Sequence, residues 1–265
     1  MVIEFIGTPG AGKTTLLPFV GEYLNGQGFH PYTIVEASRI FARRTLLGKI
    51  VDRLAPSSLR QPLLWQVFYN LSLLYRLRFG VKHFSLVRQV ISSQKHRPVS
   101  ANIQERRVLY WFFHLMGYYE FLKAYAKPNE VLLFDEGFVH RVVQLNASEV
   151  EVPRSIQIKA YLDLLPRPNL VIFAQAPQDI CEKRIQKRGV WARFYQKHPM
   201  ELSQFVAHAQ MAVDFAVDYI RGNGWTVIEV DNGSEDLTIA ITDLQQKLSR
   251  LLAIPLFRGT SISQP

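Results

Sequence analysis

The sequence predicts an α/β fold: a five-stranded parallel sheet, helices on both of its faces, and a helical insertion between the second and third strands. Three observations carry this. Five short apolar runs recur along the chain, most are followed by a helical pattern, and the longest interval between them has helical spacing without a strand signal. Runs that are apolar on both faces mark buried parallel strands. Strand–helix alternation places such strands in one sheet with both sides covered.

The first run, Val2–Ile6, precedes Leu16, Val20 and Leu24 at four-residue spacing, and Gly26 and Gly28 end that pattern. Pro18 falls inside this helix, where a proline removes one N–H and costs about 3 kcal/mol in a regular interior. The second run is Tyr32–Val35, the third Val131–Phe134 and the fourth Leu170–Ala174. After the fourth, Pro177 suits a first turn and Gly189 a stop. The fifth run, Thr226–Val230, leads to Ser234 as a cap and to the stripe Leu237, Ile241, Leu244, Leu248 and Leu251. Between the second and third strands, Leu63–Phe79 and Arg106–Tyr125 predict helices, and Tyr110, Trp111, Phe112, Phe113, Tyr118, Tyr119 and Phe121 read as core. The expected organisation is one domain over 1–265, with a helical insertion at 40–127, a lid-like segment at 177–200 and a fraying tail from Ile254.

With 265 residues, nearly half of them hydrophobic, the chain can bury a large core. A single cysteine, Cys181, excludes an intrachain disulfide framework and fits a reducing cytosol. The opening Met-Val-Ile-Glu-Phe-Ile has no basic leader, and the uncharged stretch Gln61–Tyr75 is too short to span a bilayer, so a cytoplasmic location is expected. The net charge of +9 suits an anionic partner: nucleotide phosphates, nucleic acid or an acidic membrane face.

Gly7-Thr8-Pro9-Gly10-Ala11-Gly12-Lys13-Thr14 satisfies G-x-x-x-x-G-K-[ST], with a strand leading in and a helix leading out. The motif predicts a three-layer P-loop NTPase fold. Gly7, Gly10 and Gly12 allow positive φ and close backbone approach. The N–H groups from Gly7 to Thr15 then converge on phosphate oxygens at a helix N-terminus. Lys13 reaches the β and γ phosphates, and Thr14 offers its hydroxyl to Mg²⁺.

Val131–Phe134 ends in Asp135 and Glu136. Asp135 is the expected Mg²⁺ anchor, since carboxylate oxygen suits a hard, hydrated cation. Glu136 has two readings: activation of water for hydrolysis, or a substrate contact. Glu36 is expected at the end of the second strand, facing the same crevice, as a base or substrate contact with Arg39 close by. Arg184 and Arg188 stand four apart on one helical face and Arg193 follows, a cationic set suited to the charge of a moving phosphoryl group. Arg141 could reach substrate anions; Arg106 and Arg107 are further candidates of that kind.

These residues resemble the thymidylate kinase and deoxynucleoside kinase branch of P-loop kinases. The resemblance rests on Gly7–Thr14, Glu36, Asp135, Arg184-Ile185-x-x-Arg188 and Val230-Asp231-Asn232. It implies an ATP-dependent kinase using Mg²⁺, in which Arg184–Arg188 begins a mobile lid and Asp231 and Asn232 line the base pocket. Where thymidylate kinases carry Asp-Arg-Tyr, this chain has Asp135-Glu136-Gly137, and their Arg-Glu-Pro reads Val35-Glu36-Ala37. The acceptor is thus open: a nucleoside, a nucleotide, a sugar or another small hydroxyl compound. A homodimer is a further expectation. There is no Asn-Lys-x-Asp guanine-reading tetrad, which favours ATP over GTP. Two rivals stand beside the kinase: an ATPase with Glu136 activating water, and a nucleotide-gated protein binding nucleic acid or acidic lipid. Strand order separates the first two. The kinase arrangement sets the loop strand directly beside the Asp135 strand; the motor arrangement inserts one between them.

Overall fold

The computed structural model describes residues 1–95, 103–190, 194, 199–234 and 236–253, with the side chains of 95 and 103–107 left aside. Strands β1 (Val2–Ile6), β2 (His30–Thr33), β3 (Glu130–Phe134), β4 (Leu170–Gln175) and β5 (Val227–Asp231) form one parallel sheet in the order β2-β3-β1-β4-β5. The register pairs Ile3 with both Leu133 and Leu170. β1 and β3 are buried throughout, as strands covered on both faces must be. Helix α1 (Lys13–Gly26) runs unbroken through Pro18.

The second strand ends earlier than its apolar run suggests. Thr33 caps helix α2 (Ile34–Ala42): its hydroxyl accepts from Glu36 N–H at 3.3 Å, and the Glu36 carboxylate accepts from Thr33 N–H at 2.9 Å. This reciprocal box satisfies two orphan donors and starts the helix at Ile34. Glu36 therefore lies in the first turn of a helix, not at a strand end.

The insertion is helical as expected: α3 (Leu46–Leu54), α4 (Ser57–Lys82), α5 (Phe84–Lys95) and α6 (Ile103–Tyr125). Arg44 closes its base by donating to Tyr125 O at 2.6 Å, at the far end of the insertion, and by a forked ion pair with Glu130. Of the predicted aromatic core, Phe112, Tyr119 and Phe121 are buried, Phe113 and Tyr118 partly so, while Tyr110 and Trp111 are about half exposed. Both rings lie beside His114, Tyr110 with its centroid 4.2 Å away.

Helices α7 (Arg141–Asn146), α8 (Ser155–Leu162), α9 (Gln178–Arg188) and α10 (Pro199–Gly222) complete one helical layer, with α10 packed on the other three. The last helix, α11 (Leu237–Leu252), packs beside α1. The tail from residue 254 lies outside the described residues.

Helices α4 and α6 approach closely at Gly117, where a Cβ would come 2.3 Å from Ser72 O. A Gly117→Val substitution must push the two helices apart and is expected to destabilise the protein by about 1–3 kcal/mol. An unchanged urea midpoint would show that the helices do not meet at this position.

Candidate active site

The loop between β1 and α1 lies at the carboxyl ends of the strands, where parallel sheets bind ligands. Its three glycines are required for different reasons. Gly10 and Gly12 have φ of 90°, a conformation costly for other residues, whereas Gly7 does not take a positive φ. Gly7 is required by space: a Cβ there would lie 2.4 Å from Ala174 O at the end of β4. A Cβ on Gly10 would likewise lie 2.5 Å from Cys181 O of α9, and one on Gly12 would meet Asn232 Nδ2 at 2.0 Å. Thr15 and Leu16 N–H both donate to Gly12 O at 3.0 Å, which leaves the Lys13 and Thr14 amides at the open end of α1. No acid occupies that first turn and no side chain caps it.

Lys13 is buried within the loop, where its ammonium donates to Gly7 O at 2.8 Å and Thr8 O at 3.3 Å. Burial lowers its pKa to about 8, against the opposing pull of Glu136, Cys181 and Asp135. Asp135, just past β3, is partly exposed and accepts from Glu136 N–H at 3.0 Å. Thr14 and Thr15 are exposed. A hydroxyl on Thr14 and a carboxylate on Asp135, both oxygen donors beside a lysine-bearing loop, fit Mg²⁺ chemistry.

The basic helix faces this loop. Arg184 donates to Gly10 O at 3.5 Å and Ser234 O at 3.2 Å, and Arg188 is close enough to Lys13 to lower its pKa further. Arg193 lies outside the described residues, as do the side chains of Arg106 and Arg107. Glu36 and Arg39 are exposed on α2, the former engaged as a cap. Asn232 is buried and donates to Ala11 O at 2.8 Å, so it braces the loop; Asp231 is exposed and accepts from Gly233 N–H at 2.8 Å.

Sequence reading missed a buried polar cluster under the loop. Glu4, in the middle of β1, is fully buried and accepts from Val139 N–H at 2.8 Å. Burial raises its pKa to about 7, against the Val139 and Phe138 amides and the Arg141 charge. A Cβ on Gly137 would come 2.4 Å from this carboxylate. His140 is buried and held neutral by desolvation and by the charges of Lys13 and Arg141. Arg141 is not presented to solvent but is 7% exposed, 3.9 Å from the Glu136 carboxylate. Tyr161 donates to Phe138 O at 2.8 Å. The signal available was Glu4 itself, an acid inside an apolar parallel strand that burial obliges to find partners.

Comparison with known proteins adds little to this geometry. No protein-family model and no curated protein matches the chain. Among solved structures, it is similar to deoxyadenosine kinase from M. mycoides with bound dCTP, at 12% identity and a TM-score of 0.42, over 96% of this chain and 100% of that one. The same enzyme with bound dATP aligns at 14% identity and a TM-score of 0.43, over 94% and 100%. The chain's own strand order is that of the kinase arrangement: β1 pairs directly with β3, so the loop and Asp135 stand on neighbouring strands.

Because Glu4 stays protonated in the fold up to about pH 7, against an ordinary 4.5, the folded state binds a proton that the unfolded chain has released. Its contribution is therefore most favourable below about pH 4.5 and is lost as pH rises towards 7, by about 3 kcal/mol in all. Glu4→Gln is expected to flatten that decline in the thermal midpoint between pH 5 and 7. A variant that keeps the wild-type slope places the proton elsewhere.

Proposed function

We propose that this protein transfers a phosphoryl group from ATP, with Mg²⁺, to a hydroxyl of a small molecule. The observation that carries the reading is the direct pairing of β1 with β3, which sets Asp135 beside the Gly7–Thr15 loop. The loop amides bind the polyphosphate, and Lys13 balances charge on the β and γ phosphates. Thr14 and Asp135 would hold Mg²⁺, which supplies further neutralisation of those oxygens. Arg184 and Arg188, with Arg193, surround the transferred group with fixed positive charge. Asp231, exposed at the end of β5, is assigned to the base side, with Asn232 acting through the loop it braces. The acceptor side is assigned to the insertion and to the exposed acids and arginine Glu36, Arg39 and Glu136. The 177–200 segment, of which 191–193 and 195–198 lie outside the described residues, is assigned to keeping water from the phosphoryl group.

Three measurements test this. The first is a screen of nucleosides, nucleotides and sugars with ATP, reading ADP. An acceptor should raise ADP release well above the rate without it, and Lys13→Ala should abolish the gain. Steady hydrolysis that no acceptor stimulates, and that Glu136→Gln removes, would establish the ATPase instead.

The second concerns Glu36. A capping box accepts glutamine in place of glutamate, so Glu36→Gln should preserve the thermal midpoint. If Glu36 is the base, turnover should fall by roughly 10²–10⁴-fold. Normal turnover in that variant removes Glu36 from the base role.

The third uses the depressed Lys13 pKa. Polyphosphate restores the proton, so ATP binding at pH 8 should take up about half a proton and weaken as pH rises further. Calorimetry in buffers of different ionisation enthalpy reads this directly. Lys13→Arg, which cannot deprotonate, should show no uptake; equal uptake in both proteins would assign the proton to another group.

A further inference from the structure

The chain's entire surplus of charge sits in one segment. Between Arg43 and Lys95 there are ten lysines and arginines and a single acid, Asp52; the remaining 21 basic and 21 acidic residues cancel. Asp52 is itself engaged by Arg43 at 3.3 Å and by Arg60 at 3.9 Å. Lys49, Arg53, Arg78, Lys82 and Arg88 are all exposed.

The same segment carries an apolar stripe on its outside. On α4, Leu59, Leu63, Leu73, Leu74, Leu77 and Val81 fall within an arc of about 100°. Their exposure runs from 39% at Leu73 to 83% at Val81. The opposite side of α4, with Leu64, Phe68 and Phe79, is the one buried in the insertion core. Gln66 and Asn70, hydrogen-bonded to each other at 3.2 Å, interrupt the stripe midway. Helix α3, packed against α4, adds Leu46, Ile50 and Leu54 at four-residue spacing, with Leu46 and Leu54 about three-quarters exposed. Scattered exposed leucines are ordinary on a protein surface; a stripe running about 33 Å along one helix is not.

The charge selects the occupant. A second copy on this face would bring two strongly basic surfaces together. A nucleic acid would satisfy the charge but leave an aliphatic stripe against phosphates, with few aromatic rings there for bases to stack on. An anionic lipid surface satisfies both features: apolar side chains enter the acyl boundary, and lysines and arginines meet the headgroups. No helix among the described residues is long and apolar enough to cross a membrane, so the contact is one of lying on the surface. We propose that the α3–α4 face docks this protein on membranes rich in anionic lipid. The proposal does not depend on the phosphoryl-transfer reading.

The test is co-sedimentation of the full-length protein with vesicles of phosphatidylcholine alone and of phosphatidylcholine mixed with phosphatidylglycerol. Binding is expected to the mixed vesicles only and to weaken with added salt. The pairs Lys49→Glu with Arg53→Glu, and Leu74→Ser with Leu77→Ser, should each weaken it roughly tenfold or more. Because every altered side chain is exposed, ATP binding and the thermal midpoint should stay unchanged; a single Leu77→Glu serves should a double variant lose stability. Absence of binding to mixed vesicles at low salt overturns the proposal. So does binding that both pairs leave intact. Self-association in vesicle-free solution that the leucine pair abolishes would assign the face to a second copy. Binding to single-stranded DNA or RNA that the charge pair abolishes, without vesicle binding, would assign it to nucleic acid.

Discussion

The structure turns on how closely other backbone and side-chain atoms can approach one short loop. Gly7, Gly10 and Gly12 each touch a different element: the end of β4, the first turns of α9, and Asn232 beyond β5. At none of the three is there room for a Cβ, and at two the φ angle adds a second penalty. The loop is thus clamped from three directions before any ligand contributes. That clamping fixes the open end of α1 and encloses the Lys13 side chain, which gives the ammonium its depressed pKa. Preorganisation of this kind spares a site the ordering cost at the moment of binding.

Beneath the loop, the fold manages an unusual concentration of buried ionisable groups. Lys13, Glu4, His140 and Arg141 are all nearly inaccessible. Burial pushes Glu4 towards its neutral form, and desolvation with two neighbouring cations keeps His140 uncharged, so the charged groups that remain are mainly the two cations facing Asp135 and Glu136. The turn after β3 also receives the insertion. Phe138 stacks on Phe79 with centroids 5.1 Å apart and packs edgewise on Tyr119 at 5.3 Å. The segment that carries Asp135 and Glu136 therefore has the Glu4 carboxylate on one side and the aromatic core of α4 and α6 on the other.

Much of this was legible in the sequence, for physical reasons that differ by element. β1, β3 and β4 were found nearly to the residue because strands buried on both faces are mainly apolar, even with Glu4 inside β1 and Glu130 at the start of β3. β2 was displaced because Ile34 and Val35 look like strand residues, while the Thr33–Glu36 capping box, a local hydrogen-bond pattern, recruits them to a helix. The Gly7–Thr14 loop was legible because its glycines answer demands of backbone angle and of space that a side chain does not meet. The polar cluster was not, because its members come from separate positions along the chain and only the sheet register and the turn after β3 bring them together. Asn232 shows the same limit: its position beyond β5 could be read, but its inward turn onto Ala11 depends on tertiary contact.

The departure at Asp135-Glu136-Gly137 follows from Glu4. With a buried carboxylate on the neighbouring strand, position 137 has no space for a side chain, since even a Cβ would meet Glu4 at 2.4 Å. A tyrosine at that position, as in the Asp-Arg-Tyr pattern, is sterically excluded. Position 136 is acidic rather than basic, and the cation placed beside it is Arg141, 3.9 Å away and one helix start further on. The charge opposite Glu136 is therefore supplied from position 141. Residues of the Gly7–Thr14 loop answer to β4, α9 and Asn232, while those after β3 answer to Glu4 and to the insertion. The two halves of the site are under separate constraints, and this is why the motif makes the loop legible while the residues after β3 follow no pattern that could be read from the sequence.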